Sequence, residues 1–417
     1  MQELQIIRSR AILPMTGPTI LNGALVLQGS TIVAVNEWKE VSKKYSGNVI
    51  DLGEQVILPG LINSHCHLDY TLMSGILGRP DSFTSWIQSM IKLKQSWSEK
   101  DFQKSWNIGF QNISKTGTTW VADTISHPTR FDPNNPPSEG SNLFPFYELI
   151  HLEGSPLDSS ILAQTAESID LLLYNEGQRA GISPHAPYTT TPRLWESISN
   201  HPIFANSPIS MHLSESIEEF ELFTTGSGNM YDMFKAIHHL PQWGKGSPVQ
   251  LMEEIGILEK GMIVVHANCL KEGDAAHLAS NKIHVVHCPR SHAYFQHPSF
   301  PMAELQAHNI NIALGTDSLA SVAKDHFPDS LSLFHEMRLL SEGQNAVQPE
   351  TILEMATLNG AKALGLQEEV GSLEPGKSAD WISLPWKGKK ETLMDQVIGF
   401  TDHLNNIYIK GKRISLK

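Results

Sequence analysis

The sequence predicts an α/β fold in which a (β/α)8 TIM barrel carries a small β-sandwich domain built from both ends of the chain. Short β-branched runs recur along the middle of the chain, and each is followed by a polar turn and an amphipathic stretch. Strands that alternate with helices in this way pair in parallel. Eight such units fit a closed barrel better than an open sheet.

The barrel elements follow one another in a regular order. The eight predicted strands are residues 56–63, 118–123, 143–150, 180–183, 209–212, 262–266, 283–287 and 310–315. Apolar residues recur at helical spacing in the segments between them, which are residues 83–95, 101–114, 158–175 and 230–239. We therefore assign residues 56–370 to a barrel domain.

The two ends of the chain have a different pattern. Residues 19–27 and 29–35 are short alternating strands interrupted by glycine, and residues 371–384 and 405–412 again have β character. We predict that residues 1–55 and 371–417 form one composite β-sandwich domain, which the chain leaves and later re-enters. The alternative is that the two ends are unrelated additions to the barrel.

Composition limits the functional classes. The chain has 417 residues, of which 40% are hydrophobic and 18% charged, with a formal net charge of −13. Such an acidic balance argues against nucleic-acid or anionic-membrane partners. We find no apolar run near the roughly 20 residues that span a bilayer, and no signal-peptide core at the N-terminus. Its three cysteines, Cys66, Cys269 and Cys288, are typical of a cytoplasmic protein without disulfides.

The most informative motif is a histidine pair at the end of the first predicted barrel strand. His65 and His67 directly follow an apolar run. Residues i and i+2 of a strand point to the same side, so both imidazoles would face one point. Neutral imidazole is the commonest protein ligand for zinc-like metals. The pair alone is weak evidence for a metal site, but polar residues at the ends of the other predicted strands strengthen that prediction.

Further ligand-type side chains stand where other predicted strands end. Barrel enzymes form their active sites at the C-terminal rim of the strands, where such residues converge. Each of these side chains alone is commonly an ordinary rim residue, but their shared placement predicts one polar site. They are His185, His212 with Glu215, His266, His287 and Asp317.

On these motifs the sequence resembles the amidohydrolase superfamily, in its deaminase and chlorohydrolase branch. The resemblance extends from about residue 50 to residue 411. It is carried by LPGLIN (58–63) before His65-Cys66-His67, HLSE (212–215), VHA (265–267), HCP (287–289), LGTDS (314–318), TLNGA (357–361) and EPGKSAD (374–380).

The resemblance implies that His65, His67, His212 and Asp317 hold one divalent metal ion, with zinc as the first choice and iron as the alternative. Three imidazoles and a carboxylate leave a position for water, whose pKa a metal lowers towards neutrality. Members with two metals need a bridging ligand, typically a carbamylated lysine after the fourth strand. Residues 181–188 contain no lysine, so we predict a single ion.

The resemblance also assigns catalytic groups. Glu215 would carry protons between the water and a substrate ring nitrogen, as a carboxylate with a tuned pKa can do. The other interpretation places Glu215 in the first turn of a helix, where carboxylates favour the helix dipole. His266 and Asp317 would orient the hydroxide and polarise the leaving group.

Three residues are predicted to contact substrate. His185 resembles a substrate-binding histidine of this branch, and Trp86 and Ser318 stand near the metal motifs. Trp86 would line a slot for a flat heteroaromatic ring, or would simply pack a helix against the barrel. We assign His287 to the core or to support of the site. The remaining histidines are assigned to solvated surface, among them His127, His238, His239 and His297.

The predicted reaction is hydrolytic deamination of a 6-aminopurine nucleoside or a relative. Hydroxide attacks the ring carbon that bears the amino group, Glu215 protonates the adjacent ring nitrogen, and ammonia leaves. Residues 288–291 and 315–321 resemble those of aminofutalosine deaminases, with methylthioadenosine and S-adenosylhomocysteine deaminases as close relatives. Those relatives usually carry an acidic residue for the ribose hydroxyls in the helix after the first strand, whereas residues 83–95 contain none.

Other functions remain open at this point. The same site could deaminate guanine or hydrolyse a triazine C–Cl bond, and a non-catalytic relative would only bind a ligand. A binding module has no need of the acid/base pair Glu215 and His266, which favours an enzyme. We expect a small-molecule substrate, no nucleic-acid or membrane partner and, from the family, a homodimer.

Overall fold

The structure is a computed structural model that describes residues 3–175, 177–235, 237, 243–324, 326, 328–343, 347–401 and 404–415. The strands are β1 Leu4–Ile12, β2 Ile20–Gln28, β3 Thr31–Glu37, β4 Asn48–Asp51, β5 Gln55–Pro59, β6 Leu61–Cys66, β7 Thr118–Ile125, β8 Asn142–Leu149, β9 Gly181–Pro184, β10 Ser210–Leu213, β11 Ile263–His266, β12 His284–His287, β13 Asn311–Leu314, β14 Trp381–Pro385, β15 Asn406–Ile409 and β16 Lys412–Arg413.

The helices are α1 Trp38–Lys44, α2 Phe83–Ser96, α3 Glu99–Ser114, α4 Ser159–Tyr174, α5 Pro192–Asn200, α6 Ile217–Thr225, α7 Asn229–Phe234, α8 Pro248–Glu254, α9 Asp274–Ser280, α10 Pro289–Phe295, α11 Met302–Ala307, α12 Leu333–Glu342, α13 Pro349–Met355, α14 Leu358–Ala363 and α15 Leu393–Ile398. A 3₁₀ turn, Leu68–Met73, follows β6. None of the helices in the described ranges has the length and apolar character needed to cross a bilayer.

Strands β6 to β13 form the predicted barrel. They pair in parallel in the orders β6-β7-β8-β9 and β10-β11-β12-β13. Parallel bridges between Ile182 and Ile209 and between Cys66 and Asp317 join the two groups at both seams. The eight strands therefore close into a ring, which confirms the TIM-barrel-type α/β fold.

The first predicted strand is two strands in the structure. Gln55–Pro59 pairs with β1 and β14 in the sheet formed by the chain ends, whereas Leu61–Cys66 pairs with β7 in the barrel. Gly60 separates them, and a Cβ at this position would collide with the Thr119 side chain. The residues on both sides of Gly60 are buried in their respective sheets and are mainly apolar. The sequence therefore looked like one strand, and the change from one sheet to the other was not predicted.

Both ends of the chain meet in one mixed sheet. Its strand order is β16-β15-β14-β5-β1-β2-β3, and β4 also pairs with β1. Trp381 is fully buried against the strands of the N-terminal segment, together with Ile7, Leu25 and Ile57. The two ends therefore share one sheet and one core cluster, whereas the sandwich arrangement and the domain boundaries stay predictions.

The helices after the first barrel strand begin at clear caps. Ser82 caps α2 and Ser98 caps α3, each as part of a capping box. Helix α3 begins two residues before the predicted start at residue 101, because its charged first turn hid the cap. The predicted helix 230–239 is α7, Asn229–Phe234, and residues 236 and 238–239 of that prediction lie outside the described residues.

Candidate metal and active site

The predicted ligand and acid/base residues meet at one end of the barrel. They lie at the C-terminal ends of the strands or directly beyond them, where parallel strands of a barrel converge. All but one are buried, and the half-buried one is His185, with 25% of its side chain exposed. The structure brings together His65, His67, His185, His212, Glu215, His266 and Asp317, which line or adjoin one cavity.

The innermost atoms form a compact set of metal-type donors. Asp317 Oδ1 lies 3.5 Å from His65 Nε2 and 3.7 Å from His67 Nε2, and His67 Nε2 lies 3.4 Å from His212 Nε2. Ligand atoms of His65, His212 and His266 also lie within 4.8 Å of one another. His65 Nε2 is buried without a hydrogen-bond partner in the described part of the chain. Converging lone pairs of this kind fit a bound cation.

The protonation states of this set also suit a metal. Burial holds the pKa of His67 and of His266 well below its ordinary value, and lowers that of His212 to about 3. Burial alone would raise the pKa of Asp317, but the neighbouring imidazoles of His65, His266 and His67 hold it well below its usual range. The site therefore presents neutral imidazoles and an ionised carboxylate, the forms that bind a metal.

Hydrogen bonds around the donors fix their orientation. Ser291 and Ser321 donate to Asp317 Oδ2 at 2.7 and 2.9 Å, which leaves Oδ1 towards the histidines. His212 Nδ1 lies 3.0 Å from the backbone oxygen of His185, so it acts as the donor and Nε2 keeps its lone pair. Such outer contacts commonly set the geometry and affinity of a metal site.

Asn63 joins β6 to the turn after β13, at the seam of the barrel that carries His65 and Asp317. Its Oδ1 accepts from the backbone N–H groups of His65 at 3.3 Å and Thr316 at 3.2 Å. Its Nδ2 donates to Thr316 Oγ1 at 2.7 Å. The end of β6 and the turn after β13 are therefore held together beside His65 and Asp317.

Glu215 is buried next to the donor set, with Oε1 3.5 Å from His266 Nε2. Burial, followed by the carboxylates of Asp317 and Glu219, raises the pKa of Glu215 well above its ordinary value. Glu219 fixes the backbone here, since it accepts from the N–H groups of Ser214 at 3.0 Å and Glu215 at 2.7 Å. A carboxyl group in this environment can hold and release a proton near neutral pH.

The alternative interpretation of Glu215 as a residue of a helix's first turn is wrong. The helix α6 begins at Ile217, and Ser216 is its N-cap. Glu215 therefore precedes the cap, and the acidic residues of the first turn are Glu218 and Glu219.

A cavity of about 690 Å³ opens onto these groups. The predicted substrate residues Trp86, His185 and Ser318 all line it. The Trp86 ring also packs against Phe83 and Phe295, with centroid distances of 6.1 and 5.0 Å. Trp86 therefore packs its helix against an aromatic cluster and also borders the cavity, whereas its contact with a substrate ring stays a prediction.

The other histidines have different environments. His287 is buried and stacks on Phe300 with a centroid distance of 3.9 Å, as expected for a core residue. His297 was predicted on solvated surface, but its Nε2 is buried and its ring lies beside Phe83 and Phe295. That prediction is wrong, because the aromatic residues of α2 and α10 cover this loop. His238 and His239 lie outside the described residues.

Three cavity residues were missed from the sequence. Glu148 is the second-to-last residue of β8, Lys94 lies on α2, and Tyr70 lies in the 3₁₀ turn. The rule that finds polar residues at strand ends applies to Glu148 as it does to His185. Lys94 and Tyr70 lie away from the strand ends, so that rule did not apply to them.

A barrel with histidine and carboxylate donors at its rim is typical of metal-dependent barrel hydrolases. The family model described as the amidohydrolase family matches residues 56–414. The chain belongs to the amidohydrolase family, as the sequence motifs predicted.

Individual relatives and solved structures are similar over most of their length. The chain is 28% identical over 426 residues to a 5-methylthioadenosine/S-adenosylhomocysteine deaminase of Saccharophagus degradans, covering 97% of this chain and 87% of that protein. Aminofutalosine deaminase from Helicobacter pylori, in complex with methylthio-coformycin, matches with a TM-score of 0.83 and 20% identity over 99% of this chain and 100% of that one.

A zinc-bound adenosine deaminase from Xanthomonas campestris matches with a TM-score of 0.80 and 20% identity, over 98% of this chain and 92% of that one. At these identities the likeness to solved structures shows a shared fold.

Proposed function

We propose that this protein is a metal-dependent hydrolytic deaminase that releases ammonia from a 6-aminopurine nucleoside or a nucleoside-like compound. The observation that carries the proposal is the buried Glu215, whose raised pKa and position beside the histidine–aspartate cluster suit proton transfer at a ring nitrogen. The large, mainly apolar cavity suits a flat heteroaromatic ring with a substituent. The deaminase relatives support the same class of substrate.

We propose that His65, His67, His212 and Asp317 hold one divalent ion, with zinc as the first choice and iron as the alternative. When bound, the ion supplies a Lewis acid that makes water nucleophilic near neutral pH. The converging Nε2 and Oδ1 atoms support this assignment. The absence of lysine from residues 181–188 supports a single ion.

Side chains of the protein transfer the protons, orient the water and position the substrate. Glu215 takes a proton from the attacking water and delivers it to the ring nitrogen next to the carbon under attack. His266 and Asp317 orient the water and polarise the leaving amino group. The proton that remains on the added hydroxyl passes to the amino group, and the exocyclic C–N bond breaks as the C=O bond forms, so that ammonia leaves. Trp86 borders the face of the flat ring, and His185 and Ser318 position it at the cavity wall.

We also propose the finer organisation of the protein. Residues 1–55 and 371–417 form a small β-sandwich domain and residues 56–370 the catalytic barrel. The shared sheet of the two ends supports this, although that sheet extends to Pro59. Three free, buried cysteines support a cytoplasmic location, and family resemblance suggests a homodimer.

The metal proposal predicts a stoichiometry. Carefully purified protein is expected to contain about one divalent ion per chain by elemental analysis, because the donor groups found in the described residues overlap at His65 and residues 181–188 contain no lysine to bridge a second ion. Removal of the ion with a chelator is expected to abolish turnover, and zinc or iron should restore it. A reproducible content near two ions, both needed for activity, would contradict the single-ion site.

The substrate proposal is tested by ammonia release across a panel. At least one 5′-substituted adenosine or aminofutalosine is expected to release ammonia, while the ultraviolet band of adenine moves towards that of hypoxanthine. Guanine, a chlorotriazine and a cyclic amide such as a hydantoin serve as comparison substrates. Faster turnover of any of these than of every aminopurine would overturn the substrate class and leave the fold and metal site intact. Metal binding without turnover of any compound would indicate a binding protein.

A further inference from the structure

One carboxylate in the cavity wall has no part in the proposed chemistry. Of the carboxylates that line the cavity in the described part of the chain, Glu215 and Asp317 belong to the reacting centre, which leaves Glu148. Its side chain is only 4% exposed. No described residue donates a hydrogen bond to it, and Nε2 of its neighbour His185, whose pKa burial lowers to about 3, lies 4.0 Å from Oε1.

Glu148 belongs to a polar strip that begins at the metal-type donors. The Tyr70 ring stacks on His67 with a centroid distance of 5.2 Å, and Lys94 Nζ donates to the Tyr70 hydroxyl at 2.6 Å. Burial alone would lower the pKa of Lys94, but Tyr70 and Glu148 raise it above its ordinary value. Lys94 therefore stays cationic and provides a positive charge near the Glu148 carboxylate.

A buried carboxylate without donors is costly unless a ligand supplies them. An ionised carboxylate only accepts hydrogen bonds, through two oxygens. Neighbouring hydroxyl groups on a sugar offer two O–H donors at a spacing that suits those oxygens. His185 lies beside both His212, at a ring-centroid distance of 5.1 Å, and Glu148, whose Oε1 is 4.0 Å from its Nε2. Glu148 is therefore next to a residue that we propose positions the substrate, and it faces the same cavity.

Helix α2 contributes no carboxylate to the cavity. It lines the cavity through apolar side chains such as Trp86 and Met90 and through the polar side chains of Gln88, Lys92, Lys94 and Gln95, and its residues 83–96 include no acidic side chain. Among the described lining residues, Glu148 is therefore the carboxylate outside the reacting centre that can accept from a polar sugar.

We propose that Glu148 binds the 2′,3′-diol of the substrate's ribose and makes the enzyme selective for ribonucleosides over their deoxy analogues. The inference rests on the proposed function. The diol is remote from the reacting carbon, so its contact is made equally in the bound substrate and in the transition state. Such a contact acts mainly on KM rather than on kcat.

The test compares a riboside with its diol-free analogue in three forms of the metal-loaded enzyme. The substrates are adenosine and 2′,3′-dideoxyadenosine, or the matching pair with the best 5′ substituent. The variants are Glu148→Ala, Glu148→Gln and the control Glu196→Gln, which removes an exposed carboxylate on α5. Metal content and thermal unfolding are measured for each variant. Kd values for inosine and 2′,3′-dideoxyinosine give a readout independent of turnover.

The wild-type enzyme is expected to prefer the riboside by on the order of 10²-fold in kcat/KM, because two hydrogen bonds to a charged acceptor are lost in the analogue. In Glu148→Ala this preference should fall to about one, mostly through KM, and inosine should lose its advantage in Kd. Glu148→Gln should show a riboside preference between those of wild type and Glu148→Ala, which keeps the test usable if the alanine variant does not fold. Glu196→Gln should match wild type.

Two outcomes overturn the proposal in distinguishable ways. If wild type deaminates nucleosides but the Glu148 variants lose equal activity on both substrates, Glu148 only positions His185 or Lys94, and this inference alone fails. If wild type releases no ammonia from any 6-aminopurine nucleoside, the proposed function fails and the inference fails with it.

Discussion

Replacement of Glu215 by glutamine is expected to lower turnover by roughly 10²-fold or more while the metal stays bound. Glutamine keeps the size of the side chain and can still contact His266, which lies 3.5 Å from Glu215 Oε1. It cannot take up and release a proton, and that step is the role proposed for the buried carboxyl group with its raised pKa. Ammonia release and metal content of the same preparation measure the two effects.

A matched control is Glu221→Gln, which makes the same change at an exposed position of α6. This control should keep wild-type turnover and metal content. Near-normal turnover of Glu215→Gln would remove Glu215 from the mechanism. Loss of metal from Glu215→Gln would instead make this residue part of the metal site.

Replacement of Asp317 by asparagine is expected to cause loss of bound metal and to lower turnover on the order of 10²-fold or more. Asparagine has nearly the same shape, but it lacks the negative charge that faces His65 and His67 through Oδ1. If the amide oxygen accepts from Ser291 and Ser321 in place of Oδ2, the NH2 group faces the histidines and cannot bind a metal; the reverse orientation leaves both hydroxyl groups without their acceptor. Elemental analysis after dialysis and ammonia release at increasing added zinc are the measurements.

The control is Asp170→Asn, an exposed carboxylate on α4, which should change neither quantity. Partial recovery of Asp317→Asn at high zinc would support a weakened ligand. Full metal content with lost turnover would assign Asp317 to proton transfer alone and contradict its place among the ligands.

Much of the barrel was predictable because its signals are local. The eight predicted strands each overlap a strand of the structure, since short β-branched runs bounded by polar turns are typical of buried parallel strands. The split of residues 56–63 at Gly60 was not predictable, because residues buried in either sheet have the same apolar composition. The pairing of Gln55–Pro59 with β14 joins residues far apart in the chain, and no local pattern carries that information.

The candidate site shows the same division. His65 and His67 were recognisable from strand alternation and motif, and the strand-end rule found His185, His212, His266 and Asp317. The hydroxyl groups that orient Asp317 come from Ser291 and Ser321. Both serines lie in segments that carry the resemblance, but nothing local in the sequence indicated that their hydroxyl groups meet at Asp317. The surface assignment of His297 failed because Phe83, which is distant in the chain, packs beside its ring together with the nearby Phe295.

The sequence by itself determined the barrel class, the family and the side chains that reach the rim, because residue periodicity and the position of a strand's end are local properties. Only the tertiary structure decided which oxygen of Asp317 faces the histidines, how far burial raises the pKa of Glu215, and that Glu148 lies in the cavity wall without a donor. These properties depend on what surrounds each group from every side, and those neighbours are supplied by strands and helices that are distant in the chain.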